Sequence, residues 1–148
     1  MAEASRALVD VNIVLDVLAD RGPFFDSAAR LWRAVEQRQL ECAMAAHGVT
    51  TLHYLLARQL GHVRAAAGIA DVLRVFRVAP VDEAILRDAL ALGWRDFEDA
   101  VHMCAALSWG AKYVVSRDAT GFRGGSLPVL SPEELLGLLG GDHMSDPI

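Results

Sequence analysis

The sequence predicts an α/β fold: a single domain with a parallel sheet and helices on both of its faces. Three observations predict it. Short, nearly wholly apolar runs alternate with longer segments of helical periodicity, as expected of strands buried on both faces and joined through helices. The 148 residues suffice for one domain with a real core. No internal repeat or low-complexity segment interrupts the alternation.

The elements follow in chain order. "ALVDVNIVLDVL" opens with a β-branched run and continues with helical spacing, which predicts a strand ending near Asp10 and a helix after it. "PFFDSAARLWRAVEQRQL" is an amphipathic helix, with Pro23 near its start and Phe24, Ala28, Leu31, Trp32 and Val35 on one stripe. "ECAMAA" is a short buried strand. Helices fit "VTTLHYLLARQLG", ended by Gly61, and "HVRAAAGIADVLRVF", which runs into a third strand, "RVAPV". "DEAILRDALALG" is a helix capped by Asp82. A further helix starts in "WRDFEDAVHMCAA" and ends at Gly110, and "KYVVSR" is a strand. After the loop "DATGFRGGSLP" come a short strand "VL" and a helix opened by Ser131 as cap with Pro132 in the first position. The domain is expected over residues 1–139, and a tail without ordered structure over 140–148.

Composition excludes some functions and leaves others open. The net charge of −5 provides no global positive field toward nucleic acid or an anionic membrane. RNA remains possible as a substrate if clustered acids hold a divalent cation and arginines line the rim. Although 53% of the residues are hydrophobic, charges such as Arg6, Asp16, Asp20 and Arg30 break every apolar run before it reaches the length of a membrane span. The N-terminus lacks the pattern of a secretory signal, so the expected compartment is the cytoplasm, with no membrane association. Cys42 and Cys104 stand in apolar patterns without ligand spacing and are expected to be buried free thiols.

In sheets of this kind, sites form beyond the carboxyl ends of the strands. Asp10 ends the first strand and Asp118 follows "YVVSR". A carboxylate within a run as apolar as "LVDVNIVL" must be paired, hydrogen-bonded or metal-bound, because burying it alone costs several kcal/mol. Three further acids, Asp96, Glu98 and Asp99, crowd into four residues at a helix start. Asp96 and Asp99 fall about 60° apart on one helical face, with Glu98 pointing elsewhere. Asp96 suits an N-cap, and Asp99 approximates the partner in a capping box. A carboxylate in that first turn can equally stand beside Asp10 and Asp118, an arrangement of like charges tolerable around a cation. Asp16 reads as a supporting or surface acid, and Trp94 as half-buried core or a base-stacking platform.

"LVDVNIVLDVLADR", "DFEDAVHMCAA" and "VVSRDATGF" resemble, in order and separation, the three main motifs of PIN domains, and most of all those of the toxin branch called VapC. The resemblance covers residues 7 to 136. It implies a single-domain α/β ribonuclease that holds Mg2+ or Mn2+ on clustered acids and hydrolyses RNA phosphodiesters without a covalent intermediate. By motif, Asp10 would be the ligand from the first strand, with Asn12 as its hydrogen-bonding companion. Asp99 would be the helix ligand and Asp118 the late-strand ligand, with Asp96 as an additional ligand or cap. Arg117 and Arg123 would contact phosphate or remain solvated.

One departure stands out. The family supplies a glutamate from the helix after the second strand, whereas this chain has no acid between Glu41 and Asp71. Thr51, or else Thr50, aligns there, and a hydroxyl is a weak Mg2+ ligand. The alternative reading is therefore a catalytically degenerate PIN domain that acts as an RNA- or protein-binding module. An aspartate-nucleophile phosphatase or a phospho-receiver fits less well, since the first lacks its second aspartate at Asn12 and Lys112 precedes the late strand. The apolar stripes carrying Phe24, Phe25, Leu31, Trp32, Tyr54 and Leu55 predict exposed contact surface. The resemblance implies a homodimer and an antitoxin protein as partner.

Overall fold

A computed structural model describes residues 4–144, with side chains described for 4–140. Its strands are β1 (Ser5–Val9), β2 (Leu40–Ala45), β3 (Arg77–Ala79), β4 (Tyr113–Val115) and β5 (Val129–Leu130). Its helices are α1 (Val11–Leu18), α2 (Phe25–Glu36), α3 (Ala46–Leu60), α4 (His62–Val75), α5 (Glu83–Ala91), α6 (Phe97–Trp109) and α7 (Pro132–Met144). All strand pairs are parallel, in the order β3-β2-β1-β4-β5. This is the α/β architecture the apolar runs predict, with β1 at its centre.

The period-2 pleat divides the core in two. Ala7 and Val9 of β1, with Leu40, Cys42 and Met44 of β2, pack against Ile13, Val14, Leu31, Val35, Leu52, Leu56 and Val72 from α1 to α4. On the opposite face, Leu8, Ala43 and Ala45 meet Ile85 and Ala89 of α5 and Val101, Met103 and Ala105 of α6. Cys42 and Cys104 are free and buried, and burial pushes the Cys42 thiol up to about 12.

Local signals set most of the ends. Asp82 accepts from the amide of Ile85 at 2.9 Å, and Ser131 forms a reciprocal capping box with Glu134 at 3.1 and 2.9 Å. Gly110 ends α6 at φ +89°, where a residue with a Cβ would be strained. Several bounds differ from the sequence reading. α3 starts at Ala46, directly after β2, so that Ala46, read as the end of the strand, and the two residues after it are helical. A 3-10 turn at Gly22–Phe24 precedes α2. α7 continues to Met144, past the expected end of the domain at 139; residues 145–148 of the expected tail lie outside those described. No described helix is long and apolar enough to cross a membrane.

Asp16 is neither a surface acid nor part of the acidic edge. It is fully buried on α1, 3.0 Å from Nε of Arg117 and 3.7 Å from Arg21. Burial raises its pKa, and the two guanidinium groups oppose that rise. The Arg117 guanidinium also lies 3.8 Å from the centre of the Phe24 ring, so this one residue ties the end of β4 to α1 and to the turn before α2. Removing one partner strands a buried charge. Arg117→Ala is therefore expected to lower stability by about 3 kcal/mol in urea unfolding, while Asp16→Leu with Arg117→Met recovers most of the loss. A single variant as stable as the parent would reduce the pair to surface decoration.

Candidate active site

The acids gather where the central strands end. β1 carries the chain out of the apolar core at Asp10, whose amide donates to Val115 O at 2.9 Å. Its carboxylate accepts from the Ser116 hydroxyl at 3.1 Å, and the same hydroxyl accepts from the Asp118 amide at 3.2 Å. Ser116 thus joins the exits of β1 and β4, residues 106 positions apart in sequence. Burial raises the pKa of Asp10, while the bonds from Ser116 and the Val11 amide and the charge of Arg117 pull it down.

Asp96 caps α6, accepting from the Asp99 amide at 3.1 Å, which leaves its second carboxylate oxygen without a partner in the cap. Asp99 is held up to about 7, first by burial and then by the charges of Asp96, Asp10, Glu98 and Asp118. The turn after β4 closes over it: a Cβ at Gly121 would collide with Oδ2 of Asp99, so the backbone needs glycine there to approach the carboxylate. Asp118 itself lies exposed, and hydrogen bonds from the Thr120 hydroxyl and amide lower its pKa. The amide bond is 3.0 Å long. The structure therefore brings Asp10, Asp96 and Asp99 into one electrostatic field and sets Asp118 at its rim.

Glu98 corrects the sequence reading. It does not point away: burial, then Asp96 and Asp10, raise its pKa, and an interaction with the Thr51 hydroxyl lowers it. That hydroxyl also donates to His47 O at 3.2 Å, and Thr50 donates to the same carbonyl at 2.7 Å. An acid from α6 thus reaches the place on α3 where the sequence offers only threonine. A helical wheel cannot show this, because it records the direction of Cβ and not the reach of a glutamate in a first turn. The available signal was its position between two other acids.

The remaining candidates are less tightly drawn in. Asn12 is exposed, and its side-chain oxygen accepts from Arg21 at 3.5 Å rather than bonding Asp10. Arg117 is committed to Asp16 and Phe24, although its charge reaches Asp10. Arg123 is exposed in the loop after β4. Trp94 is half-buried, edge-on to Phe122 at 6.4 Å. Among the described residues, no group of three or more His, Cys, Asp or Glu side chains stands close enough to hold a metal ion. Mg2+ is commonly held by one or two carboxylates while keeping several waters. A mutually repelling set of carboxylate oxygens fits such an ion.

The fold has relatives among solved structures. VapC20 of Mycobacterium tuberculosis, described as a Sarcin-Ricin loop cleaving toxin, is 21% identical, with TM-score 0.65 over 78% of this chain and 92% of that one. VapBC2 from Rickettsia felis, bound to a DNA fragment from its promoter, is 11% identical, with TM-score 0.68 over 85% and 98%. A toxin-antitoxin complex from Klebsiella pneumoniae is 19% identical, with TM-score 0.63 over 85% and 97%. No curated protein matches by sequence. The PIN domain family model does match, over residues 6–120, a span that begins with β1 and closes on the turn beside Asp99. With fold and family model in agreement, the chain belongs to the PIN domain family.

Proposed function

We propose that the protein is a metal-dependent ribonuclease that hydrolyses RNA phosphodiesters and serves as the toxin of a toxin-antitoxin pair. The observation that carries the reading is the gathering of acids at the sheet edge, where burial and then the charges of Asp96, Asp10, Glu98 and Asp118 raise Asp99 to about 7. Such repulsion is relieved by a cation. Family membership and the description of VapC20 as a cleaving toxin support the substrate class.

Asp10 and Asp99 are the principal candidates to hold Mg2+ or Mn2+, with the uncommitted oxygen of Asp96 and the carboxylate of Glu98 beside them. When bound, such an ion supplies a Lewis acid that lowers the pKa of a coordinated water and offsets phosphate charge. The chain's own work is to orient and to accept protons. Ser116 holds one oxygen of Asp10, the cap bond fixes Asp96 against the first turn of α6, and Asp118 is pinned by Thr120. Arg123, exposed in the loop after β4, would supply the phosphate contact. Glu98 argues against the degenerate alternative, since it provides a charged group beside Thr51. Titration calorimetry with Mn2+ tests this: Asp10→Asn and Asp99→Asn are expected to abolish binding, Glu98→Gln to weaken it about tenfold, and Thr51→Glu to bring no gain because it faces Glu98. RNA cleavage should follow the same order and stop with EDTA. Mn2+ binding by the parent without any cleavage would favour the binding-module reading.

The shifted acid also sets a pH dependence. With Asp99 raised from 3.8 to about 7 in the folded chain, the folded state binds more protons than the unfolded state across that window. Stability in chelator is then expected to fall as pH rises from 3.8 to about 7. Asp99→Asn should flatten that slope in thermal melts, and Mn2+ should raise the parent's Tm most at neutral pH. A slope identical in parent and variant would remove Asp99 as its source.

A homodimer and an antitoxin partner belong to the same proposal. Leu31 is buried, and Trp32 packs edge-on to Phe76 at 5.1 Å, so part of the expected stripe faces inward. Phe24, Phe25 and Tyr54 remain exposed, together with Val63 and Leu73 of α4, as a contact surface would require. Light scattering at micromolar concentration is expected to give twice the 16.0 kDa of one chain; a concentration-independent monomer mass would remove the dimer.

A further inference from the structure

Beneath the acids lies a pair of imidazoles that the proposed chemistry does not use. His102 on α6 is fully buried, in a helix turn otherwise lined by Val101, Met103, Cys104 and Ala105. Its ring lies 4.5 Å from that of His47 at the start of α3. All four ring nitrogens of the pair are buried without a hydrogen-bond partner. Room for the ring is made by Gly48, where a Cβ would stand 3.2 Å from Cε1 of His102 and 3.1 Å from Val11. Orphaned buried nitrogens are costly, and an apolar side chain would fill the space without that cost.

The ring faces a carboxylate. Nε2 of His102 lies 4.0 Å from Oδ1 of Asp10, the oxygen opposite the one that Ser116 holds. Burial, and then His47, bring the pKa of His102 down to about 3, so the contact is not an ion pair at neutral pH. A neutral ring carries its proton on one nitrogen, and which one is decided by the partner it faces.

We propose that His102 is a positioning residue for Asp10: its Nε2–H donates to Oδ1, so that Ser116 and His102 grip the two oxygens from the protein side and turn the remaining lone pairs outward. The 4.0 Å separation exceeds a hydrogen bond by about 1 Å, and the proposal requires the carboxylate and the ring to close that gap. Partners of this kind behind a ligating group typically change metal affinity by about 10- to 100-fold when removed. The inference rests on the metal-site reading above, but its first test does not. Nitrogen-15 NMR of the metal-free protein should show His102 protonated at Nε2 and bare at Nδ1, with a signal that moves in Asp10→Asn. A proton on Nδ1, or no response to Asp10→Asn, overturns the proposal whether or not metal binds.

The second test uses Mn2+ alone. His102→Leu is expected to keep or raise the Tm without metal, because it removes orphaned nitrogens, yet to weaken Mn2+ binding about 10- to 100-fold. His102→Gln, which restores an N–H donor, should recover most of that affinity. A merely structural histidine would move the Tm and leave affinity unchanged, so a folded His102→Leu protein within about threefold of the parent overturns the proposal. If the leucine variant does not fold, the glutamine variant and the NMR signal decide. If the parent binds no Mn2+, the metal reading fails and the tautomer alone decides the role of His102.

Discussion

A parallel sheet covered on both faces has no place for charge except where its strands end. β1 is buried throughout its last three residues, Ala7, Leu8 and Val9, and is flanked by β2 and β4. The first polar side chain it can offer is Asp10, at the carboxyl edge. Because all the strands run the same way, β4 exits at that edge, and α6 begins beside it with its three acids. The site is thus a consequence of strand direction, and the apolar runs that build the core also determine where the carboxylates emerge.

Two aspartates on one short helix segment show how differently the fold treats like groups. Asp16 is carried fully inside and answered by Arg117 and Arg21; burial still dominates its pKa. Asp10, six residues earlier, is met by a hydroxyl, a backbone amide, the charge of Arg117 and, 4.0 Å away, the His102 ring. Arg117, whose charge reaches Asp10, is paired with Asp16 and stacked on Phe24. The guanidinium that acts on both carboxylates is thus held by the more deeply buried one.

Much of this was legible in the sequence, for physical reasons. Strands buried on both faces leave uninterrupted apolar runs, and caps such as Asp82, Asp96 and Ser131 act through neighbours three residues away, so both are local signals. Asp10, Asp96, Asp99 and Asp118 were legible because a lone acid in an apolar run, or a crowd of acids at a helix start, needs explaining. Three features were not. Arg117 reads as a phosphate contact because its real partner, Asp16, is 101 positions away. Glu98 is lost to a wheel that ignores side-chain length. His102 resembles any core histidine until Gly48 and Asp10 are seen on either side of its ring.

The central position of β1 also bears on synthesis. Its register with β4 joins Ala7 to Tyr113, and the Ser116 bond to Asp10 spans 106 positions. A chain emerging from the ribosome presents Asp10 long before β4, the strand that completes its surroundings and pairs with β1 through Tyr113. Contacts so distant in sequence form late. A truncated or nascent chain can lay down α1 to α4 against half a sheet and still lack the assembled edge, so whatever chemistry that edge performs waits for β4.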